Sequence, residues 1–133
     1  MNILLVLIFM IFFHILEDFH LQGILASMKQ KKWWEENAPQ SLYEHDYIVA
    51  LIMHSFSWTT MIFIPVFVYR FYVGVEVINF WVLILFIISV IVHAVVDDAK
   101  ANKFSINLIC DQMFHMAQII FVWSWVVAYV TIW

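Results

Sequence analysis

The stretch NILLVLIFMIFFHILEDFHLQ, residues 2–22, opens with an apolar run and ends with two histidines, a glutamate, an aspartate and a glutamine. A helix of about 20 mostly apolar residues spans the roughly 30 Å hydrocarbon core of a membrane. Three further stretches of this kind follow, at about residues 47–70, 77–98 and 106–131. The sequence therefore predicts an all-α fold, an integral membrane four-helix bundle. It forms a single transmembrane domain over residues 1–133, with a loop between helices one and two.

The composition supports a membrane protein. Hydrophobic residues make up 65% of the chain and charged residues only 12%, far from the balance of a soluble domain. The net charge is -4 with six lysines and arginines, which gives no basic surface for a nucleic acid. A single cysteine, Cys110, excludes an internal disulfide. The lipid bilayer is therefore the expected partner, and no nucleic acid is expected.

The basic residues are concentrated in two of the three predicted loops. Three lysines lie between helices one and two and two lie between helices three and four, whereas Arg70 alone lies near the remaining loop. Lysine and arginine are enriched in cytoplasmic loops. This distribution predicts that the lysine-bearing loops are cytoplasmic and that both chain termini lie outside.

Histidines and aspartates recur four positions apart inside the predicted helices. Residues at this spacing share one face of a helix. The order is HxxxD in helices one and three but DxxxH in helix four, which runs the opposite way. Each aspartate would thus lie nearer the cytoplasm, with its histidine about 6 Å deeper. Three of the six histidines form such pairs, an excess for a chain with five aspartates, and the pairs are His14 with Asp18, His93 with Asp97 and His115 with Asp111.

Helix two contributes His54, which has no aspartate partner at this spacing. With a rise of 1.5 Å per residue from the outer helix ends, the four histidines lie about 20 to 27 Å deep. The sequence predicts a ring of four histidines, one from each helix, beneath three aspartates. Glu17, His20 and Gln22 are expected close to the interface, where solvation or hydrogen bonding to the ligands accounts for them.

This predicted layer has a chemical consequence. Ionised side chains are costly in hydrocarbon, so they must compensate one another or bind something. Imidazole and carboxylate groups are ligands of zinc, iron and manganese, and seven of them suit two ions better than one. The sequence therefore predicts two divalent metal ions, with zinc as first choice and manganese or iron as alternatives. The predicted ligands are the histidines and aspartates of the layer, His14, Asp18, His54, His93, Asp97, Asp111 and His115. The alternative is that the pairs only form hydrogen bonds that fix helix packing.

Three motifs together resemble a family of small bacterial and phage membrane proteins of unknown function. The family pattern HxxxDFxxQ matches HILEDFHLQ, residues 14–22, the pattern HxxxDxxK matches HAVVDDAK, residues 93–100, and DQxxH matches DQMFH, residues 111–115. Glu17 departs from the pattern, which has a small residue there. The resemblance covers nearly the whole chain and implies a four-helix membrane protein, with no established activity. The expected location is the bacterial inner membrane. Besides the ligands already predicted, it picks out Phe19, Gln22, Lys100 and Gln112.

The predicted function is that of a metal-dependent hydrolase acting on a phosphorylated lipid or another anionic substrate at the cytoplasmic face. Two metal ions can activate water and hold both oxygens of a phosphoryl or acyl displacement. Lys100 is expected to attract an anionic head group, and the resemblance adds Gln22 and Gln112 as candidate substrate residues. The candidate catalytic residues, one of them as general base, are Asp18, Asp97 and Asp111.

Two other functions use the same residues. A non-catalytic membrane factor would use the metal as a structural staple, with every coordination position filled by protein. An ion or proton transporter would use the histidines and aspartates as a relay. That transporter would have to cross an apolar outer half of about 20 Å, and a homo-oligomeric pore would be needed to provide the path.

Overall fold

The computed structural model describes residues 2–132, with side chains for residues 2–128. Met1 and Trp133, the ends of the predicted domain, lie outside the described residues. Within the described part every regular element is helical. The helices, in chain order, are α1 (Ile3–Leu16), α2 (Leu25–Met28), α3 (Lys31–Asn37), α4 (Asp46–Tyr72), α5 (Phe80–Ala101) and α6 (Leu108–Ile132). A π-helical turn, Glu17–Leu21, continues α1, and a 3₁₀ turn, Ser41–Tyr43, precedes α4.

Asparagine side chains set the start of two long helices. The Asn79 side-chain oxygen accepts a hydrogen bond from the backbone N–H of Val82 at 3.0 Å. The Asn107 side-chain oxygen accepts one from Cys110 N–H at 2.9 Å. Such bonds satisfy backbone donors that have no partner within the helix. They explain why α5 and α6 begin at residues 80 and 108, slightly later than hydropathy alone predicts.

The four long helices pack side by side. Helix α1 contacts α4 and α6, and α5 likewise contacts α4 and α6. We call the buried apolar cluster that they form toward the chain termini the apolar core. Its members are Val6, Met10, Trp58, Ile62, Phe63, Val66, Tyr69, Val82, Leu85, Ile119, Val122 and Val126.

Among the described residues, three segments are long and apolar enough to cross a membrane, namely Ile3–Leu21, Ser41–Tyr72 and Phe80–Ala101. The prediction of an all-helical fold is confirmed for this part of the chain, and the three segments suggest a membrane protein. The fourth membrane span, over α6, and the orientation of the helices stay predictions.

The segment between α1 and α4, residues 22–45, is attached to the end of α5. The Asn102 side-chain oxygen accepts a hydrogen bond from Lys31 N–H at 2.7 Å. The same side chain donates through Nδ2 to the Lys29 carbonyl at 3.1 Å. Trp34 Nε1 donates to the Met28 carbonyl at 2.7 Å, which closes the turn between α2 and α3. This attachment places the Lys29 side chain over the end of the helices, where it is only 8% exposed.

Candidate metal centre

The seven residues predicted as metal ligands lie together in the structure, in what we call the His/Asp layer. All four long helices contribute to it, and the π-helical turn contributes Asp18. The four histidines are fully buried, as is Asp111, and Asp97 is 3% exposed. The Asp18 side chain is 9% exposed. A buried set of this kind is unusual, because imidazole and carboxylate groups are stable away from water only with strong partners.

Three aromatic rings stack through the centre of the layer. The ring of Trp58, on α4, lies 4.1 Å from the ring of His93, with an angle of 23° between their planes. The His93 ring lies in turn 4.3 Å from that of His115, at 25°. Stacked rings leave little freedom for rotation about the side-chain bonds. The stack therefore holds two histidines from neighbouring helices in fixed orientations.

The first group of side chains that can hold a metal ion consists of Asp18, His54 and His93. His54 Nε2 lies 3.6 Å from Asp18 Oδ1 and 3.3 Å from His93 Nε2. Ligands around a tetrahedral ion with bonds of about 2.0 to 2.2 Å are about 3.3 to 3.6 Å apart. The observed spacing therefore suits a metal ion bound between the three side chains.

The second group consists of His93, Asp97 and His115. His115 Nε2 lies 3.3 Å from Asp97 Oδ1, and His93 Nε2 lies 3.8 Å from the same oxygen. Asp111 Oδ1 is 3.3 Å from His115 Nε2, on the edge of this group. The two groups overlap because both use Nε2 of His93, and this nitrogen has a single lone pair that can bind one ion at a time. Taken singly, each of these buried groups can hold a metal ion.

Several atoms that face the layer have no hydrogen-bond partner among the described residues. These atoms include Asp18 Oδ1, Asp111 Oδ1 and His115 Nε2. His115 Nε2 lies near two carboxylate oxygens, but the geometry forms a hydrogen bond with neither. Buried polar atoms normally have partners. A metal ligand is an exception, because its lone pair is reserved for the ion. The buried atoms without partners in the layer fit this description.

His14 differs from the other three histidines. An indole N–H can only donate, so His14 Nδ1 accepts the hydrogen bond from Trp58 Nε1 at 2.8 Å. The proton of a neutral ring is then on Nε2, which donates to Gln112 Oε1 at 3.1 Å. Both ring nitrogens are engaged, and His14 belongs to neither candidate group. His14 would bind a metal only after giving up one of these bonds, and its role as a ligand stays a prediction.

Two lysines neutralise part of the negative charge of the layer. Lys29 Nζ lies 2.5 Å from Asp97 Oδ2, and Lys100 Nζ lies 2.6 Å from Asp111 Oδ2. Each carboxylate thus faces a lysine with one oxygen and a histidine with the other. Lys100, predicted as a substrate residue, is one-third exposed and bonded to Asp111.

The two glutamines predicted from the resemblance both contact Asp18. Gln112 Nε2 donates to Asp18 Oδ2 at 3.3 Å and to Asp111 Oδ2 at 3.1 Å. Gln22 Nε2 donates to the backbone carbonyl of Asp18. Both side chains therefore help to hold Asp18 in position through hydrogen bonds. Their predicted contact with a substrate stays untested.

Lys103 lies outside the layer, beyond the end of α5. Its Nζ is 2.7 Å from Asp98 Oδ2, and the hydrogen bond and charge of that carboxylate raise the pKa of Lys103. Lys103 is therefore a surface cation that forms an ion pair with Asp98.

Of the two explanations predicted for Glu17, solvation does not hold, and hydrogen bonding to a ligand stays a prediction. The residue is 3% exposed, and Oε1 lies 3.9 Å from His54 Nδ1. A π-helical turn begins at this residue. A sequence signal existed, because Glu17 follows His14 by three positions and so lies on a similar face. His20, by contrast, is exposed as expected.

Sequence reasoning also missed Trp58 and the buried position of Lys29. Trp58 follows His54 by four positions and therefore shares its face of α4. That spacing was available in the sequence. The position of Lys29 depends on the attachment of its segment to Asn102, more than 70 residues along the chain, and no local pattern indicates it.

Comparison of the chain with family models, with curated proteins and with solved structures found no match. The resemblance to small bacterial and phage membrane proteins stays a prediction.

Proposed function

We propose that the chain is an integral protein of the bacterial inner membrane whose four long helices form a transmembrane bundle. In this arrangement the lysine-bearing loops are cytoplasmic. Support comes from the apolar side chains on the outside of the helices: Ile8 and Phe12 of α1, Phe56 of α4 and Ile91 of α5 are each more than half exposed. Monomeric soluble proteins rarely expose large apolar surfaces, whereas lipid chains cover them at no cost.

The proposed activity is metal-dependent hydrolysis of a phosphorylated lipid or another anionic substrate at the cytoplasmic face. The observation that carries it is the pair of overlapping groups, Asp18/His54/His93 and His93/Asp97/His115. Nitrogen and oxygen ligands in this ratio suit zinc first, and manganese or iron as alternatives. Because His93 Nε2 can bind only one ion, Asp18 and His54 would hold one ion and Asp97, Asp111 and His115 the other, with His93 completing one of the two sets. Two ions held in this way would activate water and stabilise the reacting oxygens, with an aspartate as general base.

The formal charge of the site favours an anionic substrate when two ions are bound. Asp18, Asp97, Asp111 and Glu17 are four carboxylates, and two lysine ammonium groups bond to Asp97 and Asp111, which leaves a formal charge of −2. Two divalent ions turn this into a formal charge of +2. Excess charge in a low-dielectric site demands a counter-ion, and a phosphate dianion supplies the charge required.

An open apolar face of α6 lies beside Gln112. It is formed by Leu108, Ile109, Met113 and Met116, with Ala117 and Ile120 further along the helix. An acyl chain lying on this face would leave its head group beside Gln112, which hydrogen-bonds to both Asp18 and Asp111. This arrangement supports a lipid as the substrate.

The second candidate function is a structural metal site in a non-catalytic membrane factor. The same charge count favours it when one divalent ion is bound, because that ion alone neutralises the formal charge of −2. Full burial of the histidines is also typical of a closed site. A transporter has less support, since a path for ions would have to cross the apolar core.

Metal stoichiometry separates these functions. The full chain is purified in detergent without chelator, and metal content is measured together with binding of inorganic phosphate and release of phosphate from phosphatidic acid in mixed micelles. The proposal expects two ions per chain, phosphate binding that depends on them, and phosphate release. His20→Ala, which changes an exposed histidine outside the layer, is the matched control. One ion without phosphate binding would establish the structural site instead, and no bound ion would overturn both.

A further inference from the structure

Two consecutive carboxylates flank the imidazole ring of His54. Asp18 Oδ1 lies 3.6 Å from Nε2, and Glu17 Oε1 lies 3.9 Å from Nδ1 on the opposite side of the ring. Neighbouring residues of a regular helix point about 100° apart. The turn that carries both is π-helical, with Gln22 N–H donating to the Glu17 carbonyl five residues earlier at 3.1 Å. Such turns are rare and frequently lie at functional sites.

The surroundings of His54 define which nitrogen serves the layer. Nε2 lies within 3.6 Å of Asp18, His93 and Asp97, so this is the nitrogen whose lone pair would face a metal ion. The proton of the neutral ring is then on Nδ1. Among the described residues Nδ1 has no hydrogen-bond partner. The Glu17 carboxylate faces it, with Oε1 at 3.9 Å.

The environment of Glu17 leads to the same pairing. A carboxylate that is 3% exposed is costly unless a donor compensates it. In the described part of the chain its side chain has no ion-pair partner other than His54. His93 and His115 are different, since no carboxylate of the described residues lies within 4.0 Å of Nδ1 in either ring. Among the histidines of the two candidate groups, a carboxylate at Nδ1 is therefore found only at His54.

We propose that Glu17 is the positioning residue of His54. Its carboxylate accepts the Nδ1 proton, fixes the ring tautomer and directs the Nε2 lone pair into the Asp18/His54/His93 group. A carboxylate behind a metal-bound histidine orients the ring and raises its basicity, and loss of such a partner typically lowers metal affinity 10- to 100-fold. The effect on affinity rests on the proposed metal function, whereas the effect on the tautomer does not.

The test uses the full chain with three substitutions. Glu17→Met removes the acceptor while keeping the length of the side chain, and Glu17→Gln keeps an acceptor oxygen without the charge. Glu36→Met is the matched control, because Glu36 is an exposed carboxylate on α3. Zinc affinity is measured by competition with a chelator. We expect a loss of about 10- to 100-fold for Glu17→Met, a smaller loss for Glu17→Gln and none for Glu36→Met.

A second measurement reports on the tautomer without metal. Nitrogen-15 NMR of labelled histidine distinguishes protonation at Nδ1 from protonation at Nε2, and His54→Phe identifies the His54 signals. We expect metal-free wild type and Glu17→Gln to carry the His54 proton on Nδ1, and Glu17→Met to lose this preference. An unchanged tautomer in Glu17→Met would overturn the proposal. If wild type binds no zinc, the proposed function fails, and the tautomer measurement still decides the role of Glu17.

Discussion

The interior of the helix bundle is apolar at one end and polar at the other. Toward the chain termini the interior is the apolar core, in which residues such as Ile62 and Val122 are fully buried. Toward the lysine-bearing loops the same helices enclose four fully buried histidines with three aspartates. Contacts between apolar side chains have no preferred direction, whereas polar groups in an apolar medium need partners with defined positions. The difference indicates that one end holds the helices together and the other end serves a ligand.

In the proposed membrane arrangement the contrast is sharper still. Between helices surrounded by lipid, the apolar core gains packing contacts but little from the removal of water. The His/Asp layer lies where Lys29 and Lys100 bring charge from the loops to Asp97 and Asp111. A metal ion would complete that charge balance. Substitutions at the two ends should therefore have separable consequences for metal binding and for stability.

The largest effect on metal binding is expected at His93, because both candidate groups use it. His93→Ala should cause the largest loss of bound metal of any single substitution in the layer, as measured by elemental analysis of protein purified without chelator. His54→Ala and His115→Ala each damage one group, and each should remove about half of the metal. His20→Ala serves as control and should retain all of it. Full metal content in His93→Ala would show that His93 is not a ligand and that the bound metal does not lie in either candidate group.

The opposite pattern is expected in the apolar core. Ile62 is fully buried, and Ile62→Ala should lower the free energy of unfolding by about 2 to 5 kcal/mol through the cavity it leaves. Its metal content should not change. Ile88→Ala, at a position that is about half exposed, is the matched control and should have little effect. Unfolding in mixed detergent measures the stability. A parallel loss of metal in Ile62→Ala would show that the two ends are coupled.

Much of this contrast can be predicted from the sequence, and the reasons differ between residues. Hydropathy locates the long helices, since about 20 apolar residues define a span. The spacing of four between His93 and Asp97 places both on one face, and the structure has them together in the second group. These features depend only on helix periodicity.

The remaining features depend on contacts between distant parts of the chain. The spacing of three from His14 indicates that Glu17 lies on a similar face, but no local pattern indicates the π-helical turn that begins there. The hydrogen bonds of His14 require Trp58 and Gln112, which belong to two other helices. Periodicity shows that His14 faces inward, but it cannot show that both of its nitrogens are engaged.

The smallest effect on stability is expected for a substitution at Trp58, which lies where the apolar core meets the His/Asp layer. This residue belongs to the apolar core, yet its Nε1 donates to His14 Nδ1 at 2.8 Å. Trp58→Phe keeps an aromatic ring against His93 but leaves a buried acceptor without a donor. This should lower the free energy of unfolding by about 1 to 3 kcal/mol.

Metal content in Trp58→Phe should equal that of wild type, because His14 lies outside both candidate groups. Stability is measured by unfolding in mixed detergent and metal by elemental analysis, with Trp33→Phe as the control for loss of an indole outside the layer. A loss of metal as large as that in His93→Ala would place the Trp58–His14 bond within the metal centre. The boundary between the two ends would then lie one helical turn further toward the chain termini, because the indole of Trp58 would belong with the ligands and not with the apolar core.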